Sequence, residues 1–431
     1  MAYPYPTNTK TFNTNTDISG NPSFASYNNG QYFSYSRKNG AYYNIFLGYL
    51  DVNGNVLWSG FYSSFQPNRN AYTPFLITGL ANDLYLTFVT DGYIQGAFSS
   101  GNLDCVIVRL DFRISGPIVI WKIQNASINF VLKDIQPTLA IDNINGYLYY
   151  AHTQVLQQRI ISLQCLDLEG TILWTTYNSV RATQFSSIDY INNYSVDNQN
   201  PVIVTDNNNA VYLAYETGNL IDIVKFKTIY NGNDIYSYSF EWKMSIVEPS
   251  FLITNGFMIQ PSLSFNNSVK LGFLTSGTMD GFNHTSSAND IVIYSISENG
   301  IIQWKKQGLP TNILIKNIHR FSLTALDSYV YISVLTNTLT SYDSVICWKL
   351  NNSGESVWKY GTQTEYTVVY TGGRNSILPN NGFSYKYTFL LPNKNFLFFS
   401  VLTNVKTLIY SYLTERQYQP DLDAFTFISF N

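Results

Sequence analysis

Residues 289–308, NDIVIYSISENGIIQWKKQG, carry the pattern that recurs along this chain. The left half alternates apolar and polar positions as a half-buried strand does, and Glu298-Asn299-Gly300 is a turn signal. The right half is a second short strand ending on Trp304. The chain repeats this hairpin about seven times. Gly54 to Trp58, Gly170 to Trp174, Gly300 to Trp304 and Gly354 to Trp358 share one spacing. Gly116 to Trp121 carries an extra Pro117, and Gly232 to Trp242 loses the spacing but keeps the aromatic. Trp58, Trp121, Trp174, Trp242, Trp304 and Trp358 are spaced by 53 to 68 residues, and a period near sixty accommodates four strands.

A second recurring pair precedes each hairpin. Pro74 leads the run to Ile77, Pro137 the run to Ala140, Pro201 the run to Val204, and Pro261 the run to Ser264. Each is followed after an Asn, Asp or Gly turn by a second apolar run, and Pro22 opens the first such pair. Proline is expected at the first position of these strands, where it removes no ladder bond. The units run over 21–62, 72–124, 135–177, 199–245, 259–307, 320–361 and 374–430. No segment sustains a helical apolar stripe beyond two turns. Seven four-stranded antiparallel units without helices predict an all-β chain, a single seven-bladed β-propeller domain spanning 1–431 with the broad architecture of WD40 proteins. A tandem of β-sandwiches needs about 100 residues per domain and does not repeat at sixty. The seventh unit keeps Leu408 to Tyr412 but lacks a Trp hairpin. Ring closure by terminal strands is therefore expected, with 424–430, or else 10–15, outermost in the last blade.

Asn44, Asp104, Asp222, Asp290 and Asp343 precede the third strand of their units. Asp51, Asp111, Asp167 and Asn351 stand where hairpins begin. Recurrence at one place per unit predicts a turn-fixing role for these side chains rather than a convergent acid cluster. The tryptophans are expected to pack between adjacent sheets with each indole N–H on a carbonyl.

Asp290 to Ile293, Ser297 to Gly300 and Trp304 together resemble the SBBP family of seven-bladed propeller repeats, and Asp104 to Trp121 and Asp343 to Trp358 match nearly as well. The Gly-to-Trp hairpin also resembles the docking motif of quinoprotein (PQQ-type) propellers. Those proteins use eight blades and adjacent cysteines, which this chain lacks. Sialidase Asp-boxes are one residue shorter between Gly and Trp and do not match.

Composition narrows the function. The chain is 45% hydrophobic and 16% aromatic but only 12% charged, with a net charge of −3. Neutral polar groups must cover the surface, and no basic stripe supports nucleic-acid binding. Cys105, Cys165 and Cys347 fall within apolar runs, and His152, His284 and His319 show no ligand spacing. No cofactor or metal is expected. The N-terminus has no secretory pattern and no apolar run is long enough to span a bilayer, so a cytoplasmic, non-classically exported or virus-particle protein is expected. Long aromatic loops at 61–73, 90–103, 177–198 and 276–289 predict a non-enzymatic, monomeric interaction scaffold that binds an unknown protein partner. Its contact residues are Arg69, Tyr93, Phe98, Arg181, Tyr190 and Phe282. The alternative is a receptor for a glycan or small polar ligand in the central funnel, which abundant Tyr and Asn suit. An enzyme, whether lyase, glycosidase or quinoprotein-like, requires acids that converge there.

Overall fold

A computed structural model describes residues 8–13, 18–27, 30–50, 55–79, 83–94, 102–113, 116–125, 133–155, 158–176, 191–192, 195–218, 220–246, 262–265, 267–279, 281–282, 289–308, 315–326, 329–338, 343–360, 387–392, 397–403 and 424–430. Every regular element among them is a strand. After β1 (Asn8–Asn13), the first sheet comprises β2 (Ile18–Tyr27), β3 (Gly30–Asn39), β4 (Tyr42–Leu50) and β5 (Val56–Phe61). The second holds β6 (Ala71–Thr78), β7 (Asp83–Thr90), β8 (Asp104–Asp111) and β9 (Ile118–Asn125). The third holds β10 (Lys133–Asp142), β11 (Tyr147–Val155), β12 (Arg159–Asp167) and β13 (Ile172–Thr175). In the fourth are β14 (Asn198–Thr205), β15 (Ala210–Thr217), β16 (Leu220–Tyr230) and β17 (Tyr236–Ile246). The fifth is β18 (Ser262–Phe265), β19 (Val269–Thr275), β20 (Asp290–Ile296) and β21 (Ile302–Gln307). The sixth is β22 (Ile315–Leu326), β23 (Tyr329–Thr338), β24 (Asp343–Asn351) and β25 (Ser356–Tyr360). β26 (Tyr387–Pro392), β27 (Leu397–Thr403) and β28 (Ala424–Phe430) join β1 in the last sheet. Four-stranded antiparallel meanders, each packed face to face on the next, make the fold a β-propeller.

The strand order of the last sheet is β1-β28-β27-β26. The N-terminal strand is therefore outermost, and 424–430 takes the position inside it, which corrects the expected order. The residues explain it: the apolar AFTFISF run pairs on both edges, whereas the polar NTKTFN run suits an exposed edge. The expected strand at 408–412 lies outside the described residues.

The core lies between sheets, which is why the middle strands are apolar on both faces. Along β7, Leu84, Leu86 and Phe88 join the first sheet's Tyr32 and Leu47 in one buried cluster. The alternate residues Tyr85 and Val89 pack with Leu148 and Tyr150 of the third sheet. Fourth strands have a half-solvated edge, and in β21 Ile302 and Gln303 are exposed.

The fourth strand of each of the first six sheets carries a β-bulge immediately before its tryptophan. Ser295 pairs Trp304 while Ile296 pairs Ile302, so Gln303 is left unpaired. Leu57, Ile120, Leu173, Glu241 and Val357 are skipped in the same way. The bulge re-aims the side chain that follows it. Where the next hairpin keeps the four-residue Gly-to-Trp spacing, the indole docks on that glycine. A Cβ on Gly170 would lie 3.1 Å from Trp121, one on Gly300 2.9 Å from Trp242, and one on Gly354 2.9 Å from Trp304. The indole N–H then donates to the carbonyl two residues before the glycine: Leu168 at 2.8 Å, Glu298 at 2.9 Å and Asn352 at 2.6 Å. Where the next hairpin departs from the spacing, the contact departs too. Trp58 stacks on Phe112, and Trp174 meets Tyr238 and donates to Thr228 Oγ1.

The acidic residues divide into two roles. Asp167 and Asn351 accept backbone N–H bonds within their hairpins, as expected. Asp104, Asp222 and Asp290 also reach across to their sheet's fourth strand, through Gln124, Lys243 and Gln307 respectively. Gln124 and Gln307 in turn bond both ways to the loop joining strands two and three, at Gly92 and Ile94 and at Gly277 and Met279.

Gly354 combines a φ of +79° with the indole at van der Waals limit, so Gly354→Ala should lower stability by about 1–3 kcal/mol in urea unfolding. Gly60→Ala meets no atom within 4 Å and should stay within about 1 kcal/mol of the parent. Equal effects of the two would contradict the docking role.

Candidate functional site

Four of the recurring prolines lie inside the innermost strands, not at their starts, and Pro261 lies outside the described residues. Pro22, Pro74, Pro137 and Pro201 each sit in a bulge of β2, β6, β10 and β14, marked by register shifts between Ser19 and Ser23, Tyr72 and Phe75, Ile135 and Thr138, and Gln199 and Val202. An innermost strand is an edge, so a missing N–H is tolerated there and the ring bends the strand. The residue ahead of proline takes a positive φ in three cases: Thr73 at 49°, Gln136 at 56° and Asn200 at 56°. None is glycine, and each such residue stores about 1–3 kcal/mol of strain.

Two of these strained residues are amides, and the third and fourth sheets bring them together. Gln136 Oε1 accepts from Thr153 Oγ1 at 2.8 Å and from the Asn200 backbone N–H at 3.0 Å, while its amide N–H donates to Asn200 Oδ1. Beside them the Arg159 guanidinium donates to Gln199 Oε1, and Gln199 Nε2 donates to Glu216 Oε2 at 3.1 Å. Arg159 is anchored by its own backbone N–H on Asp197 Oδ1 at 3.0 Å. Asn200 and Glu216 are buried, whereas Gln136, Gln199 and Arg159 are half-buried. The arrangement has two layers: an inner pair that fixes geometry and an outer row of two amides and a guanidinium. Burial pushes the Glu216 carboxyl above its ordinary range, and the Asn200 and Gln199 amides and Arg159 oppose that rise. Between the second and third sheets His152 and Asp134 face each other at 3.4 Å, both almost fully buried. Burial also pushes the nearby Cys105 thiol well up, which keeps it a protonated core residue.

Of the expected contact residues, Arg69 and Tyr93 come together on one exposed corner. Asn68 and Tyr93 exchange bonds, the Asn68 N–H to the Tyr93 carbonyl and the Tyr93 N–H to Asn68 Oδ1. Gly92 lies against the Arg69 backbone. Phe282 is half-buried against the core of the fourth to sixth sheets. Phe98, Arg181 and Tyr190 lie outside the described residues. Gln136, Asn200 and Glu216 were not singled out from the sequence. The signal for the first two was their place directly before a recurring proline.

No family model matches the chain, and no curated protein does. Solved structures with a similar course of chain include a Trypanosoma rangeli sialidase in complex with sialic acid, with 8% identity, TM-score 0.42, and coverage of 99% of this chain and 57% of that one. The subtype N10 neuraminidase-like protein of A/little yellow-shouldered bat/Guatemala/060/2010 aligns with 10% identity and TM-score 0.39, over 80% of this chain and 98% of that one. A GH43_1 enzyme from Xanthomonas citri complexed with xylose aligns with 13% identity and TM-score 0.34, over 67% and 90%. The likeness is one of fold. The neighbours run against the expected non-enzymatic protein-docking scaffold: those named here are a sialidase with sialic acid, a neuraminidase-like protein and a GH43_1 enzyme with xylose, and what this chain shares with them is the fold alone.

Glu216 yields a pH-dependent expectation. Its folded value is raised, so its contribution to stability is fully present below the unfolded range and is lost as pH rises through the folded value. Glu216→Gln should therefore melt at a higher temperature than the parent at pH 7 and show no such gain at pH 4. A lower melting temperature for the variant at pH 7 would show that the carboxylate form is the one held.

Proposed function

We propose that the chain binds a neutral polar glycan across the inner-strand bulges of its third and fourth sheets. The observation that carries this reading is the pair of strained amides, Gln136 and Asn200, bridged between two sheets beside Gln199 and Arg159. A primary amide offers donor and acceptor side by side, the complement of a sugar hydroxyl. Strain at both positions keeps the amides preset rather than free to collapse on binding. A chain with only 12% charged residues suits an uncharged ligand. The reading is one of binding rather than hydrolysis. The groups that act on Glu216 are amides and a guanidinium, whereas glycoside cleavage commonly uses two facing carboxyls.

The finer architecture belongs to the same proposal: one domain of seven blades, SBBP-like in its hairpins, closed into a ring. Support comes from the first strands of successive sheets, which touch in order from β2 through β6, β10, β14, β18 and β22 to β26, and from the contact of β26 with β2. Such a ring sets the bulges around a central funnel.

A glycan array probed with the purified chain tests the site. A neutral oligosaccharide should bind, and Gln136→Ala, still folded by its cooperative melting, should weaken it about tenfold, or roughly 1.4 kcal/mol. Absence of any hit, or a hit indifferent to both Gln136→Ala and Gln199→Ala, would remove the reading.

A further inference from the structure

A register column runs through the first six sheets from the second strand to the tryptophan of the fourth. In the first it is Tyr32, Tyr49 and Trp58; in the second Tyr85, Arg109 and Trp121. In the third it is Tyr149, Cys165 and Trp174; in the fourth Tyr212, Lys225 and Trp242; in the sixth Tyr331, Lys349 and Trp358. In the first four sheets the tyrosine is fully buried, with its ring 6.0–6.2 Å from the indole. The fifth sheet breaks the rule. Its column is Lys270, Ser295 and Trp304. Lys270 is 1% exposed, with its ammonium 5.4 Å over the Trp304 ring.

The replacement leaves two marks. A cleft of about 410 Å³ opens between the fifth and sixth sheets, lined by Asn267, Ser268, Lys270, Gln303, Trp304 and Asn352 along with Ser353. The ammonium, moreover, has only neutral partners. Lys270 Nζ donates to Ser268 Oγ at 2.5 Å and to Ser295 Oγ at 2.6 Å, and Ser295 Oγ passes its own proton on to Gln303 Oε1 at 2.9 Å. Among the described residues no carboxylate pairs with it. Taking an ammonium out of water without an opposite charge is costly, and here burial pushes the Lys270 amine down to about 8.

We propose that this cleft is a binding site for a small organic carboxylate, which supplies the negative charge that Lys270 lacks. The stoichiometry of charge favours a monoanion. Lys270 is one cation, and the groups against it from β20, β21 and the neighbouring hairpin are the neutral Ser295, Gln303, Trp304, Asn352 and Ser353. Lys306, two residues beyond Trp304 along β21, is bonded to the Gly354 carbonyl at 2.9 Å and lies in the field of Glu355. Amide and hydroxyl groups around the rim suit the remaining carboxylate lone pairs and a hydroxylated body. This site stands on the hairpin side of the sheets and is independent of the inner-strand bulges.

Titration calorimetry with glucuronate, and with glucose as its uncharged counterpart, decides the matter. Glucuronate should bind the parent chain at pH 6.5, glucose at least tenfold more weakly. Affinity should fall at least tenfold by pH 9.5, as Lys270 loses its proton. Lys270→Tyr, which restores the residue of the other sheets, should fold, melt at or above the parent temperature and lose glucuronate binding; Lys270→Met should lose it too. Gln136→Ala should leave it unchanged, which separates this site from the glycan site. No heat of binding in the parent, equal binding of glucose, or binding retained in Lys270→Tyr would each overturn the proposal.

Discussion

The structure depends on a contact between an indole and a glycine that has no side chain. The first six sheets end on a bulged strand that turns a tryptophan toward the next sheet, and for Trp121, Trp242 and Trp304 the neighbour receives it on a hairpin glycine at positive φ. Two demands meet at that glycine: a backbone conformation costly for other residues and an approach too close for a Cβ. The indole N–H is satisfied at the same time by a carbonyl fixed two residues away, so the wedge between sheets is both filled and hydrogen-bonded.

Repetition of that contact frees other positions for variation. The innermost strands repeat a proline bulge, but the residue ahead of the proline differs, and in the adjacent third and fourth sheets it is an amide at positive φ. The interfaces repeat a Tyr-to-Trp column, but in one sheet the tyrosine gives way to lysine and a cleft results. Both candidate sites arise in the same way. A scaffold position held rigid by the repeat receives a side chain that the packing does not require, and its chemistry becomes available to a ligand.

The periodicity was legible because burial on both sheet faces forces continuous apolar runs with turn residues between them, as in Leu84 to Val89 and Tyr147 to Ala151. The spacing of Gly170, Gly300 and Gly354 from their tryptophans was legible for the same steric reason that the contact works. The inner bulges were not, since a proline at a strand start and one in an edge bulge read alike without the register of the partner strand. The links of Asp104, Asp222 and Asp290 to Gln124, Lys243 and Gln307 were not legible because the partners lie 17 to 21 residues away in sequence. Lys270 escaped notice inside an apolar run whose register to Trp304 only the fold supplies. The amide pair likewise joins positions 64 residues apart, which no local pattern encodes.

The docking contact is tested most directly by a double-mutant cycle on Trp242 and Gly300, read by urea unfolding. If the indole stacks on the bare glycine, Gly300→Ala costs less in the Trp242→Ala background than in the parent, with a coupling of about 1 kcal/mol or more. Additive effects within about 0.5 kcal/mol would show that the glycine serves only its own turn, and the account of how these sheets are joined would fail.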